Sequence, residues 1–531
     1  MADAAQPVSS WAPLRFTVFR AFWIALLVSN IGNWMQTVGA QWFLVHAANA
    51  AILVALVQVA DTLPDALFGL VGGVLADLFD RRRLLLVVQL GLGLVAVALA
   101  VLTFLGQMTA PLLLAFTFAL GSASVFANPA FQSLIPDIVP REQLRAAAAL
   151  GSISINLSRV VGPALAGLVI ARLGIAAVFG LNALTYLLFV LVVAIWKPPA
   201  RPKPALPEHF FSAIRAGGRY VRNAPVVRRI LLRMALYLVP ASVLWSLLPV
   251  LAAQRLHLGA IGYGLLQGSL GIGAVAGALA LPQIRNRLSD NGLMAVASAA
   301  YAIALVLVAA VPIPAVALIA LLPAGAAWVL VLSNVNAAVQ LFLPAWVRAR
   351  GVSVYLMLLF GTQALGSVLW GAVAEWMGVV AAFLIAAAAL IIGLATIRLW
   401  PFFDVAQLDR SAAPFWPEPQ LVFDPEPSSG PVMVETVYTI AAEREGAFLG
   451  AMVQVRLSRL RTGATRWALY RDGEKPHTFV ETFTVASWEE HLRQHHDRLT
   501  GADRDFDLKA RGLSDPSPET RHLIAAEGQP D

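Results

Sequence analysis

Two carboxylates stand four residues apart inside an apolar run, "VADTLPDALF" at 59–68, where Asp61 and Asp65 flank Pro64. At that spacing they share one face of a helix. Ionisable side chains in such runs are costly and face a cavity or one another. A carboxylate can bind and release a proton within one working cycle, so the pair is a candidate proton-carrying site. Arg159 lies in another apolar run and is their candidate basic partner, either fixed in a structural ion pair or approaching and leaving during a cycle. A second polar group is "SNIGNWMQTVGAQW" at 29–42. Asn30, Asn33, Gln36 and Gln41 follow helical spacing in part, with Trp34 and Trp42 among them. Uncharged amides beside indoles suit a large amphipathic ligand, and they equally suit hydrogen bonding between helices.

The setting of these residues is a membrane. Of 531 residues, 59% are hydrophobic and 13% charged, and the mean hydropathy is +0.73. A soluble domain is nearer a quarter charged. The absence of cysteine excludes disulfide frameworks and thiolate metal sites. The opening stretch reads as no cleavable signal peptide; the first span is expected to serve as its own signal. Residues 1–400 carry 24 Lys and Arg against 10 Asp and Glu, whereas 401–531 carry 14 against 21. The basic excess thus sits beside apolar spans, where it faces an anionic leaflet. No nucleic-acid reading motif accompanies it, so the expected partners are the lipid bilayer, a small-molecule substrate and protons, and not nucleic acid.

A span needs about 20 apolar residues. Runs between polar breaks predict twelve, at 19–45, 52–76, 84–106, 111–134, 146–172, 175–196, 230–252, 260–282, 292–312, 314–338, 351–376 and 379–399. Alternate loops hold Arg81–Arg83, Arg141 and Arg145, Lys197 to Arg229, Arg285 and Arg287, and Arg348 and Arg350; the opposite loops hold only Arg172 and Arg255. This bias predicts that both ends of the twelve-span unit are cytoplasmic. A basic central loop, 197–229, separates six spans at 1–196 from six at 230–400.

The two sixes carry a repeat. "NPAFQSLIP", with Asn128, Gln132 and Pro136, is matched by "NAAVQLFLP", with Asn336, Gln340 and Pro344. Gly162, Gly167 and Gly174 are matched by Gly366, Gly371 and Gly378, and Gly73, Arg81 and Arg83 by Gly277, Arg285 and Arg287. Offsets of 204 to 208 in the same order indicate a parallel duplication. Beyond residue 400, a Pro-rich linker at 401–431 leads to 432–531, whose patterning predicts βαββαβ, a ferredoxin-like unit of α+β class. His491 and His495 stand four apart on its second helix as a possible metal pair with no identifiable third ligand. No metal and no cofactor is expected. With no Walker motif in the chain, ATP is not the expected energy source.

Twelve spans in two parallel halves resemble the major facilitator superfamily. The signature of that family between spans two and three, G-x-x-x-D-R-x-G-R-R, is matched at Gly73, Asp77, Arg81 and Arg82; Leu78 and Asp80 depart from it. "ADLFDRRRLLL", "NPAFQSLIPDIV", "SRVVGPALAG" and "LPAWVRARG" are similar to the branch that contains the enterobactin exporter, the transmembrane secretion effectors. The resemblance implies that Asp77, with Gly73, Arg81 and Arg82, latches the outward-facing state against the start of span eleven. On the residues alone, the arginines equally set topology. Gly162, Pro163 and Gly167 resemble the antiporter motif of the superfamily, with Ala166 in place of a glycine; the physical reading is a bend and close packing against the other half. The tail resembles the antibiotic-biosynthesis monooxygenase-like fold, which pairs through its sheet, so homodimerisation through the tail is expected. A catalytic tail would place His477, His491, His495 or Trp467 in a pocket.

The fold expected is therefore an all-α membrane protein of twelve transmembrane helices followed by a small α+β cytoplasmic domain. The function expected is secondary transport, with export, alternating access and a bacterial inner-membrane location resting on the resemblance. The alternatives are an importer of the same fold, or a membrane-anchored enzyme with a monooxygenase-like tail. Asn30, Asn33, Trp34 and Gln36 are the substrate-cavity candidates, in a cavity expected between the halves.

Overall fold

The computed structural model describes residues 11–196, 210–401, 409, 411, 413–419 and 421–526; within its helices the side chains of residues 70, 73–78, 133 and 210–216 lie outside the description. Two compact units emerge. One comprises 1–207, 232–335 and 356–402; the other comprises 208–231, 336–355 and 403–531.

The first unit is helical. Its first half contains α1 (Thr17–Leu44), α2 (Ala50–Leu78), α3 (Arg81–Phe104), α4 (Ala110–Ile138), α5 (Leu144–Leu173) and α6 (Ile175–Ile195). After α7 (Phe210–Asn223), the second half contains most or all of α8 (Pro225–Gln254), α9 (Ala260–Arg285), α10 (Asp290–Ala310), α11 (Pro314–Phe342), α12 (Ala345–Met377) and α13 (Val379–Ala395). Among the described residues, eleven helices are long and apolar enough to cross a membrane; α13 is apolar but shorter. The twelfth span expected over 379–399 thus stops early, and Arg233 of α8 shows why. Its guanidinium donates to the carbonyls of Gly393 (3.0 Å), Thr396 and Trp400. A cation there satisfies the orphan carbonyls at the end of α13 and complements its dipole. Arg82 does the same for α6, donating to the carbonyls of Val193 (3.1 Å) and Ala194 (2.6 Å). Asp80 caps α3, accepting from the Arg83 backbone N–H at 2.8 Å.

The duplication read in the sequence is a structural one. Gly174 and Gly378, which end α5 and α12, hold φ of +83° and +87°, a region that favours glycine. Gly121 of α4 meets α2 at the backbone of Ala60 and Asp61, and Gly325 of α11, offset by 204, meets α9 at the backbone of Leu270. The same helix seam is built twice.

Within the second unit, the tail contains β1 (Val432–Thr439), α14 (Glu445–Thr462), β2 (Arg466–Arg471), β3 (Thr478–Val485), α15 (Trp488–Arg493), α16 (Gly501–Arg511) and β4 (Glu519–Ile524). The sheet is antiparallel in the order β2-β3-β1-β4. One helix was expected between β3 and β4, and the structure has two. A π-helical turn at Gln494–Arg498 ends the first, and Thr500 starts α16 with a capping box to Asp503. The tail rests on α7 and the start of α12: Arg498 lies 5.0 Å from the Trp346 ring, which Tyr220 meets edge-on.

A buried ionic group holds the tail together. Glu481 of β3 accepts from Arg459 Nε (3.1 Å), the Tyr438 hydroxyl (2.9 Å) and Trp467 Nε1 (2.9 Å). Arg459 also pairs with Asp507 of α16 at 2.5 Å. One carboxylate therefore ties β1, β2, β3 and α14, and the guanidinium extends the tie to α16. Breaking a buried pair from one side strands the other charge, at about 3–5 kcal/mol. Glu481→Ala is therefore expected to melt the tail while the helical unit stays assembled. Hydrogen exchange of the full chain in detergent checks this: strand amides of β1 and β3 should lose protection and those of α1–α6 should keep it.

Candidate functional site

Pro64 interrupts α2 between the two carboxylates. A proline has no N–H to give the carbonyl four residues back, here Ala60. Gly121 of α4 faces that point: a Cβ on it would stand 3.1 Å from the Ala60 oxygen and 3.2 Å from Pro64 Cγ. The kink and the glycine let α4 close against α2 beside the acids, which are half-buried.

Between α1, α2 and α4 lies a cavity of about 230 Å³. Asp61 and Asp65 line it together with Asn30, Asn33, Trp34 and Gln36, so all four ligand candidates and both acids share one wall. Thr62, Thr117, Ser124 and Tyr186 join them, and sequence reasoning did not single these out. The Tyr186 hydroxyl donates to Asn33 Oδ1 at 2.6 Å, which fixes the amide. Gln36 accepts from Asn182 at 3.4 Å and keeps a buried Nε2 without a partner. The cavity was expected between the halves. It is instead lined by the first half, with Phe360 of α12 as the contribution of the second. The polar side chains of α1 and α2 all belong to the first half, whereas the second half offers aromatics. From Trp34 a column runs through Trp245 (6.0 Å), Trp328 (5.2 Å) and Tyr237 (6.4 Å), with the Trp245 Nε1 and Tyr237 hydroxyl buried and unpartnered.

Arg159 does not line the cavity. Its guanidinium lies 5.8 Å from the Trp34 ring and its buried Nε has no partner. Among the described residues no ion pair joins it to Asp61 or Asp65, and neither carboxylate has a hydrogen-bond partner.

At the ends of the helices remote from Arg81–Arg83, the halves meet backbone to backbone. A Cβ on Gly167 of α5 would stand 2.5 Å from the Ala260 oxygen of α9, and one on Gly264 of α9 would stand 2.4 Å from the Pro163 oxygen. The counterpart of Gly167, Gly371 of α12, meets α2 chiefly through the side chains of Ala55 and Ile52. Gln41 of α1 adds polar links, donating to the Trp245 carbonyl (3.1 Å) and accepting from the Tyr263 hydroxyl, while Trp42 stacks on Tyr263. Gly162 instead packs α5 on Trp34 of α1, as Gly366 packs α12 on α8.

The family model for transmembrane secretion effectors matches residues 8–530. The chain belongs to that family. The Citrobacter koseri enterobactin exporter is 32% identical over 43% of this chain and 54% of its own length, so this chain matches about half of that protein. The Mycolicibacterium fortuitum multidrug efflux pump Tap is 26% identical over 68% of this chain and 90% of its own. The Staphylococcus aureus staphyloferrin A transporter is 24% identical over 52% and 69%. The fold superposes on the nucleoside transporter NupG with a TM-score of 0.55 at 13% identity over 73% of this chain and 100% of that one. A POT family transporter in complex with a thioalcohol-conjugated peptide gives 0.60 at 11% over 72% and 95%.

In this secretion effector, the signature residues Gly73 and Asp77 lie on α2 outside the described side chains. Arg81 stands 3.8 Å from Asp137 at the end of α4, and Arg82 caps α6. In the tail, His477 is exposed against Glu445 (3.1 Å) and Trp467 serves Glu481. His491 and His495 do come together, on a cavity of about 490 Å³ that His522 of β4 and Arg459 also line. Burial, then the adjacent His495 and His522, pushes the His491 imidazole down to about 3; burial and His522 push His495 down to about 4. Both rings are therefore neutral at physiological pH.

The backbone seam generates a test. A Cβ on Gly167 would stand 2.5 Å from the Ala260 oxygen, so Gly167→Val should keep α5 and α9 from closing on each other. Hydrogen exchange of the full chain in detergent should then show the start of α9 losing protection relative to the parent. Unchanged protection in the folded variant would show that this approach does not hold the halves together.

Proposed function

We propose that this secretion effector exports a small organic molecule in exchange for protons, with Asp61 and Asp65 as the proton carriers. The observation that carries this reading is a pair of acids on the cavity wall with neither a counter-ion nor a hydrogen-bond donor among the described residues. A proton is the neutralising partner that an alternating cavity can collect on one side and leave on the other. Asn30, Asn33, Gln36 and Trp34 are the groups that would meet the substrate. The named relatives handle siderophores and drugs, which supports a siderophore or lipophilic drug as the cargo class. Cargo of that size exceeds about 230 Å³, so loading requires a more open state of the same wall.

The reading includes twelve crossings, with α13 as the twelfth, and both termini in the cytoplasm of a bacterial inner membrane, on the strength of the arginine bias. It takes the βαββαβ tail with strand order β2-β3-β1-β4 as ferredoxin-like, related to the monooxygenase-like fold. Copies of the chain would pair through its sheet, where the cross-strand neighbours Met433 and Leu523 are exposed. In the superfamily role carried over from the signature, Asp77 is the latch residue.

The test is transport in proteoliposomes with an imposed pH step. Asp61→Asn or Asp65→Asn is expected to abolish gradient-driven efflux while substrate binding persists. If both single variants respond to the step as the parent does, the acids are structural and the coupling lies elsewhere.

A further inference from the structure

We infer that His491, His495 and His522 form a binding site for a divalent transition-metal ion of the zinc class. The inference concerns the tail alone and does not depend on the export reading.

Three elements bring the imidazoles together. His491 is on α15, His495 is in the π-helical turn that follows it, and His522 is on β4, where it pairs with Val434 of β1. The ligand nitrogens all lie within 4.8 Å of one another. Bonds of about 2.0–2.1 Å to a tetrahedral ion place nitrogens roughly 3.3 Å apart, a change that ring rotations supply. The π-helical turn matters here because it shifts His495 relative to the position an α-helix would give it.

A second observation points to a ligand. His491 is fully buried, and neither of its ring nitrogens makes a hydrogen bond of normal geometry, the nearest side-chain acceptor being that of Gln494. Buried polar atoms in native proteins are rarely left so, and each costs about 1–3 kcal/mol. Gln494 Oε1 is also buried and unpartnered, although its Nε2 donates to Thr462 Oγ1 at 2.8 Å. Ring nitrogen opposite the metal needs an acceptor of that kind. One ion would therefore engage one nitrogen of His491 and turn the other toward a carbonyl that now lacks a donor.

The surroundings fit. Arg459 lines the same cavity, but Glu481 and Asp507 already match its charge. Trp416 meets His495 edge-on at 4.9 Å and walls the site. Three imidazoles select zinc, copper, nickel or iron over calcium or magnesium. Three protein ligands beside a cavity leave a coordination position for water or an incoming oxygen or nitrogen donor, the pattern of an exchangeable rather than a closed site.

The experiment uses the full-length chain in detergent, free of any histidine tag, stripped with chelator and titrated with Zn²⁺. One zinc per chain is expected after desalting, and Co²⁺ should give visible ligand-field bands that excess Zn²⁺ removes. His522→Gln, at a half-buried position, and His495→Gln should each weaken binding roughly tenfold or more. His477→Gln, remote from the cluster, should leave it unchanged. Circular dichroism and strand hydrogen exchange identify any variant that has lost the tail fold, in which case the other carries the test. No zinc retained by the folded parent, or equal retention by folded His522→Gln and His495→Gln, overturns the assignment.

Discussion

Helices that must part and rejoin inside a bilayer gain little from apolar side chains, since lipid is as apolar as leucine. What remains is shape, and here shape means backbone on backbone. At Gly167 and Gly264 no side chain separates α5 from α9, and dispersion over the whole length of the approach holds the halves together. Such a contact is close, dry and without directional bonds, so it can be undone without stranding a polar group. The few polar links at that end, from Gln41 to Trp245 and Tyr263, supply registry. Gly162, on the same helix as Gly167, packs on Trp34, a residue of the cavity wall, so the seam and the cavity share α5.

The tail is held on the opposite principle. Its core contains Arg459, Glu481, Asp507, Arg461 and Asp503, each almost without exposure and each paired. Burial alone would raise Asp503 and Asp507, yet the adjacent guanidinium groups hold both below the usual carboxylate range. Charges in a low-dielectric interior demand particular partners in particular places. One unit is thus tied by contacts that can open and the other by contacts that are specific.

The sequence made much of this legible, for identifiable reasons. Glycines at matching offsets revealed the duplication because close helix approach leaves no freedom in residue type. Asp61, Asp65 and the amides of α1 stood out as two separate groups because polar residues are few in apolar helices; only the fold puts them on one wall. What failed was long-range. Tyr186 reads as one more aromatic in a span, and only the fold brings it to Asn33. His522 stands 27 residues beyond His495 in a short strand, and antiparallel pairing with β1 carries it back to the cluster. The break after α15 was readable in the Thr500 to Asp503 capping box, but the histidine-rich run before it reads as uninterrupted helix. The early end of α13 was not readable, because the arginine that caps it lies 160 residues upstream.

With Arg159 set aside on Trp34, the charged groups on the cavity wall are, among the described residues, all of one sign. A wall that bears only acids has an electrical preference that depends on its protonation. While the acids are ionised, it favours cations and rejects anions. Once protonated, it accepts neutral cargo and ceases to repel an anion. A cationic passenger and a proton can then replace each other with no net movement of charge, so that exchange ignores the membrane voltage. A neutral passenger leaves the returning proton uncompensated, and each cycle then draws on the voltage as well as the pH difference, at about 2.3 kcal/mol per charge for every 100 mV. On the proton-exchange reading, the charge of the passenger thus decides whether the electrical half of the proton gradient is drawn upon.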